Sequence, residues 1–330
     1  MAKRVIIDTD PGIDDAMALL LALQSPELDV AAITTVSGNV PVKTATMNVF
    51  RIFSLLPSDQ RPPVAEGAEK PRIKAPVFGT RIHGEDGLGG IDRLQNKDGA
   101  SRYPIPTVEA STRRAADEIL YQLSKSTDPV SLISLGPLTN IAEALEKDKS
   151  RMTGVKEIFL MGGAVEVPGN VTSVAEFNIY YDPHAADMVF RSGIPITLVG
   201  LDVTRKVKLL KEHMTSIPGS NHTAISQFIC DSTAALFSYL EERTGEAGIS
   251  LHDPLAVGVA MDPTLVTTKA MSVVVETEGK WTQGMTIADG RNIKPQWKET
   301  PNAQVCVHVD KDRFLSLFFQ RLFSKRARKD

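Results

Sequence analysis

Val5-Ile6-Ile7-Asp8-Thr9-Asp10-Pro11-Gly12-Ile13-Asp14-Asp15 stands near the start of the chain, three β-branched apolar residues leading into four aspartates. The apolar run reads as a short buried strand, and residues 16–23 behind the acids follow a helical pattern. Pro11 beside Gly12 places a stiff residue next to a flexible one, which lets the backbone wrap tightly between the two elements. A strand that feeds a helix through such a turn is the opening of a βαβ unit.

The same alternation continues outward. Val- and Ile-rich runs at 30–36, 130–135, 157–161 and 196–199 are each followed by a longer helical pattern, among them 42–56, 138–145 and 183–191. Strands that are apolar on both faces belong to a sheet covered by helices on both sides. The fold class is therefore α/β, an open, mostly parallel, doubly wound sheet. Near the C-terminus, runs at 271–277, 284–288 and 304–309 have short connections and predict an antiparallel extension. The segment 57–104, rich in Gly, Pro and charge, shows the weakest periodicity and reads as a functional loop region. Neither a repeat nor a low-complexity linker divides the chain, so residues 1–330 are read as a single domain.

Composition excludes several classes. A net charge of −3 over 330 residues is too balanced for a nucleic-acid footprint or a membrane-attracted surface, which leaves a small-molecule substrate. Cys230 and Cys306 are far apart and without CxxC spacing, so they read as free thiols rather than a disulfide or zinc ligands. The N-terminal apolar stretch is broken at Asp8, too early for a signal-peptide core, and no apolar run reaches membrane-spanning length; a cytoplasmic location is expected. The basic residues Lys325, Arg326, Arg328 and Lys329 read as a solvated tail.

In open α/β sheets ligands bind beyond the carboxyl ends of the strands. Polar residues cluster there: the four aspartates after the first strand, Ser37-Gly38-Asn39 after the second, Gly136-Pro137-Leu138-Thr139-Asn140 after the run at 130–135, and a loop through Asn170, Glu176 and Asn178 after the run at 157–161. Asp14 and Asp15 taken alone would suit a helix N-terminus. Four carboxylates brought together instead require a counterion, and a hard divalent cation with oxygen ligands answers that need.

The first of these runs resembles the signature of the inosine–uridine nucleoside hydrolase family. Residues 136–140, Met161-Gly162-Gly163-Ala164, Asn170-Val171-Thr172, Ala175-Glu176-Phe177-Asn178 and His252-Asp253-Pro254 resemble the family's other blocks, in order, over about residues 4–310. The resemblance implies Ca²⁺ as cofactor, held by Asp10, Asp15, Asp253 and the backbone carbonyl of Leu135. It also implies substrate contacts from Asp14, Asn39, Met161, Asn170, Glu176, Asn178 and Asp253, with Asn170 and Glu176 towards the ribose 5′-hydroxyl. The implied reaction is hydrolysis of the N-glycosidic bond of purine or pyrimidine ribonucleosides in nucleoside salvage. Homodimers or homotetramers are the implied assembly.

Cleaving that bond builds positive charge on the sugar and negative charge on the base, so a nucleophile, stabilisation of the sugar cation and a proton for the base are all needed. Asp10 is the expected general base, and His252, adjacent to Asp253, the expected general acid. His83, in the glycine-rich stretch 83–90, and Tyr239 are candidate contacts to the base. Two other readings compete. Asp8-Thr9-Asp10 after a strand also resembles a haloacid dehalogenase-type phosphatase, against which Pro11-Gly12-Ile13-Asp14-Asp15 and the later asparagines argue. A non-catalytic nucleoside- or ribose-binding protein would share the fold but has no need of the full ligand set.

Overall fold

The computed structural model describes residues 2–215, 223–245, 248–291 and 299–323. The basic tail at 325–329 lies outside the described residues. Among them, strands form at Lys3–Thr9 (β1), Leu28–Thr35 (β2), Val64–Glu66 (β3), Val130–Ser134 (β4), Ile158–Met161 (β5), Ile196–Val199 (β6), Lys208–Leu210 (β7), Gly248–Ser250 (β8), Val266–Met271 (β9), Val273–Val275 (β10), Thr286–Ala288 (β11) and Ala303–Val309 (β12). Eight of these make one sheet in the order β3-β2-β1-β4-β5-β6-β12-β9. All its neighbours are parallel except β12 and β9, which pair antiparallel at the edge.

The alternation along each strand explains why helices cover both faces. Val5 and Ile7, with Ile33, Ile133, Phe159 and Val199, face one core, which also receives the helices Ile13–Leu23, His252–Met261 and Lys311–Leu322. Ile6, with Ala32, Leu132, Ile158, Leu160 and Leu198, faces the other, against the helices Ala115–Lys125, Thr139–Lys147 and Pro183–Phe190. Every side chain of β4, β5 and β6 is buried, as strands enclosed on both faces require.

Two features depart from the expected pattern. The run at 271–277 is not one strand: the edge strand ends at Met271, and β10 pairs only with β11 in a separate ribbon. Asn302 causes the break. Its side chain accepts from the Val273 amide and donates to the Val273 carbonyl, taking both main-chain groups that a neighbouring strand would use. Within 57–104, β3 is a strand of three residues that extends the sheet in parallel, too short to show a period.

The strand order reverses between β1 and β4, since the chain runs outward to β2 and β3 and then returns to β4 on the other side of β1. Loops leaving these two strands diverge at their carboxyl ends, where open α/β sheets place their ligand crevice.

Candidate active site

The loop after β1 fills this crevice. Asp15, in the first turn of helix Ile13–Leu23, accepts from the Gly12 amide at 3.0 Å, the Asp10 amide at 3.3 Å, the Thr9 hydroxyl at 2.5 Å and the Asn39 side-chain amide at 3.1 Å. It thus caps the helix and ties the loops after β1 and β2 together. Asp10 lies between the loops after β2 and β4. A Cβ at Gly38 would stand 2.0 Å from its Oδ2, and one at Gly136 would stand 2.4 Å from its Oδ1, so both positions require glycine for the carboxylate to fit. Oδ2 of Asp10 accepts from the Asn39 amide at 2.6 Å, whereas Oδ1 is buried without a partner.

Asp14, Asp15 and Asp253 each offer an oxygen within 4.8 Å of the others. Asp253 arrives in the first turn of helix His252–Met261, which packs along helix Ile13–Leu23. Burial, followed by repulsion from Asp15 for Asp10 and from Asp14 for Asp253, pushes both carboxyls well above the usual range. Burial raises Asp14 to about 6 and also raises Asp15. The charges that bear most strongly on Asp10, Asp15 and Asp253 are those of the other aspartates and, at Asp15, the His83 imidazole. Such a set is short of positive charge, and a divalent cation among these oxygens would reverse the upward shifts. The partnerless Oδ1 of Asp10 and the hard-oxygen donor set fit a metal ion.

The rim is built by the loops after β4 and β5. Leu135 directs its carbonyl inward, where the Asn178 side-chain amide donates to it at 2.6 Å and to the Met161 carbonyl at 3.2 Å. Glu176 caps helix Phe177–Tyr181, accepting from the Asn178 and Ile179 amides and, across the loop, from Gly163. Burial raises its pKa, and repulsion from Asp14 adds to the rise. Asn170 is exposed, with its side-chain oxygen on the Phe177 amide.

Two imidazoles complete the surround. His83 accepts the Ile13 amide on Nδ1 at 3.1 Å, pinning the glycine-rich stretch 83–90 to the start of the first helix. His252 pairs through Nδ1 with the Thr204 hydroxyl at 2.7 Å. Burial pushes each imidazole down to about 4; Asp15 opposes this at His83, and Arg205 and His83 reinforce it at His252. Tyr239, on helix Ala224–Thr244, is half-buried against the main core with its hydroxyl accepting from Arg243; among the described residues no hydrogen bond links it to the carboxylates.

The chain has known relatives. The sequence profile of the inosine-uridine preferring nucleoside hydrolases matches residues 5–316. The chain belongs to this family. The pyrimidine-specific ribonucleoside hydrolase RihA of Salmonella typhi is 40% identical to this nucleoside hydrolase over 327 residues, covering 98% of this chain and 99% of the relative. A purine-preferring ribonucleoside hydrolase from Gardnerella vaginalis superposes with a TM-score of 0.86 at 36% identity, covering 97% of this chain and 98% of that one. The plant nucleoside hydrolase PpNRh1 gives a TM-score of 0.86 at 33% identity over 98% of this chain and all of that one. The chain is thus a ribonucleoside hydrolase, and the phosphatase and binding-protein readings fall away. No helix among the described residues is long and apolar enough to cross a membrane.

The tasks of two supporting residues of this nucleoside hydrolase appear only in the tertiary structure. Asn140 ends the motif at residues 136–140, but its work is visible only in space. Its amide donates to Asp8 at 2.7 Å and to the Thr35 carbonyl at 2.9 Å, and its oxygen accepts from Ala68 at 2.8 Å, fastening the ends of β1, β2 and β3 together. Arg205 grips the carbonyls of Pro168 and Gly169, immediately before Asn170. An arginine in a run of mixed polarity gives no hint of such a task.

Proposed function

We propose that this nucleoside hydrolase depends on Ca²⁺, that its 1–330 chain acts as one domain, and that it releases free base and ribose from purine or pyrimidine ribonucleosides in cytoplasmic salvage. The observation that carries the reading is the meeting of Asp14, Asp15 and Asp253, together with the partnerless Oδ1 of Asp10. Asp10, Asp15, Asp253 and the Leu135 carbonyl would hold the ion. When bound, Ca²⁺ lowers the pKa of water and engages the ribose diol.

Asp10 is the general base, because its free oxygen stands in the crevice while its other oxygen is fixed by the Asn39 amide. Asp14, Asn39, Asn178 and Asp253 present acceptors and donors to the 2′- and 3′-hydroxyls. Glu176 and Asn170 stand towards the 5′-hydroxyl, and Met161 is a further substrate contact. As the C1′–N bond breaks, its electron pair moves to the base nitrogen, which takes a proton from His252, while the oxygen of water bonds to C1′ and its proton passes to Asp10. The growing positive charge on the sugar is favoured by the surrounding carboxylates. His83 and Tyr239 approach the base. The subunits assemble as homodimers or homotetramers.

Purified protein assayed on a ribonucleoside panel, led by uridine and cytidine because the RihA relatives are pyrimidine-specific, tests this reading. Activity lost to a chelator and restored by Ca²⁺ supports it; full activity in calcium-free protein refutes the metal assignment. For His252, the leaving group decides. His252→Ala is expected to slow ribonucleoside hydrolysis by roughly two to four orders of magnitude, the worth of a positioned acid. Hydrolysis of p-nitrophenyl riboside, whose phenolate departs without a proton, is expected to change little. Equal losses at full calcium occupancy would remove His252 from the acid's role.

A further inference from the structure

We propose that Thr204 is a positioning residue for His252: its hydroxyl holds Nδ1 and thereby presents Nε2 to the leaving base. The inference deepens the proposed function and rests on its reading of His252 as the proton donor.

Thr204 closes the short helix Leu201–Thr204 that follows β6, and its side chain is fully buried. Among the described residues, the only hydrogen-bond partner of its hydroxyl is Nδ1 of His252, at 2.7 Å across 48 positions of sequence. The backbone makes this contact part of a closed ring. The Val207 amide donates to the Thr204 carbonyl, and the Leu251 amide donates to the Val207 carbonyl. The adjoining β7–β8 ribbon, pairing Lys208 with Ser250 and Leu209 with Ile249, fixes the register of the two segments. His252 follows Leu251, and its ring returns to the Thr204 side chain. Main-chain bonds thus set the distance between the two residues, and the hydroxyl sets the rotation of the ring.

A hydroxyl suits the task because it can both donate and accept. It donates to Nδ1 when that nitrogen is bare and accepts from it when it carries a hydrogen, so the contact, and with it the direction of Nε2, survives the loss of the Nε2 proton. In the transfer, the C1′–N bond breaks as the oxygen of water bonds to C1′ and gives its proton to Asp10, the electron pair passes to the base nitrogen, and the Nε2 proton moves to that nitrogen. The ring is left neutral with its remaining hydrogen on Nδ1, accepted by Thr204. Valine has nearly the same shape but can do neither, whereas serine can do both.

The test compares Thr204→Val, Thr204→Ala, Thr204→Ser and His252→Ala, each with calcium content measured. The substrates are p-nitrophenyl riboside and the ribonucleoside that the wild type turns over fastest. Thr204→Val and Thr204→Ala are expected to lower kcat on the ribonucleoside by about ten- to a hundredfold, part of the usual worth of a positioned acid. Their loss on p-nitrophenyl riboside is expected to be far smaller, and Thr204→Ser to restore most of the ribonucleoside rate. Nitrogen NMR of the His252 ring should show the wild-type Nδ1 hydrogen bond in the serine variant and its loss in the alanine variant, which also answers the case of a valine variant that does not fold. Equal losses on both substrates, or no loss on the ribonucleoside, would overturn the role of Thr204 if His252→Ala remains selective for the ribonucleoside. A His252→Ala variant without that selectivity would overturn the acid assignment, and the inference with it.

Discussion

At the amino end of β1 Lys3 and Arg4 each find an acceptor within the chain, although Nε of Arg4 stays buried without one, whereas at its carboxyl end Asp8 and Asp10 form no ion pair among the described residues. Lys3 donates to the Ala260 carbonyl at 2.6 Å and lies over the Phe159 ring. Arg4 pairs at 2.6 Å with Asp29, its partner in the β1–β2 ladder, where both side chains reach water. Five residues further on, each carboxylate keeps one buried oxygen without a partner, and the neighbours of Asp10 are further carboxylates. Burying like charges costs stability. One strand therefore carries at one end a solution that serves folding alone, and at the other an arrangement that folding alone would not favour. The second is the mark of a site whose missing charge comes from a ligand.

The contrast can be broken or sharpened by experiment. The largest expected effect is on sugar choice, because acceptors and a cation arranged to read a cis-diol leave buried groups unpaired when a hydroxyl is missing. The 2′-deoxynucleoside is expected to have a kcat/KM lower by roughly four orders of magnitude, and comparable values would show that the carboxyl end does not read the diol. Next comes Asp10→Asn, expected to lower kcat by about two to four orders of magnitude through loss of the base. Because that substitution also removes a repelling charge, the chelated variant is expected to melt no lower than chelated wild type. Near-normal turnover with calcium bound would remove Asp10 from the mechanism.

Calcium itself is expected to raise Tm, by an amount equivalent to about 4 kcal/mol when its concentration is a thousand times Kd. An unchanged melting curve after chelation would mean that the carboxyl end is resolved without an ion. The smallest effect belongs to the other end of the strand. A double-mutant cycle on Arg4 and Asp29 is expected to give a coupling of about 0.2–1 kcal/mol, typical of an exposed pair, with activity unaffected. A coupling of several kcal/mol would erase the distinction between the two ends.

The sequence alone determined the features that depend on neighbours along the chain. The apolar runs of β1, β2, β4, β5 and β6 predicted a parallel sheet because each strand's burial on both faces is written in consecutive residues. The acidic loop after β1 announced itself because four carboxylates and a Pro-Gly turn fall within eight positions. The family resemblance supplied Asp253, His252 and Glu176, which no local rule would have joined to that loop. Only the tertiary structure decided the rest. It ended the edge strand at Met271, because the Asn302 side chain occupies the main-chain groups of Val273 from 29 positions away. It set Asn140 against Asp8 across 132 positions and Thr204 against His252 across 48. It also left one oxygen of Asp10 without a partner between two glycine loops. Periodicity and turn chemistry act over a few residues, whereas which polar groups find partners depends on distances that exist only once the sheet has formed.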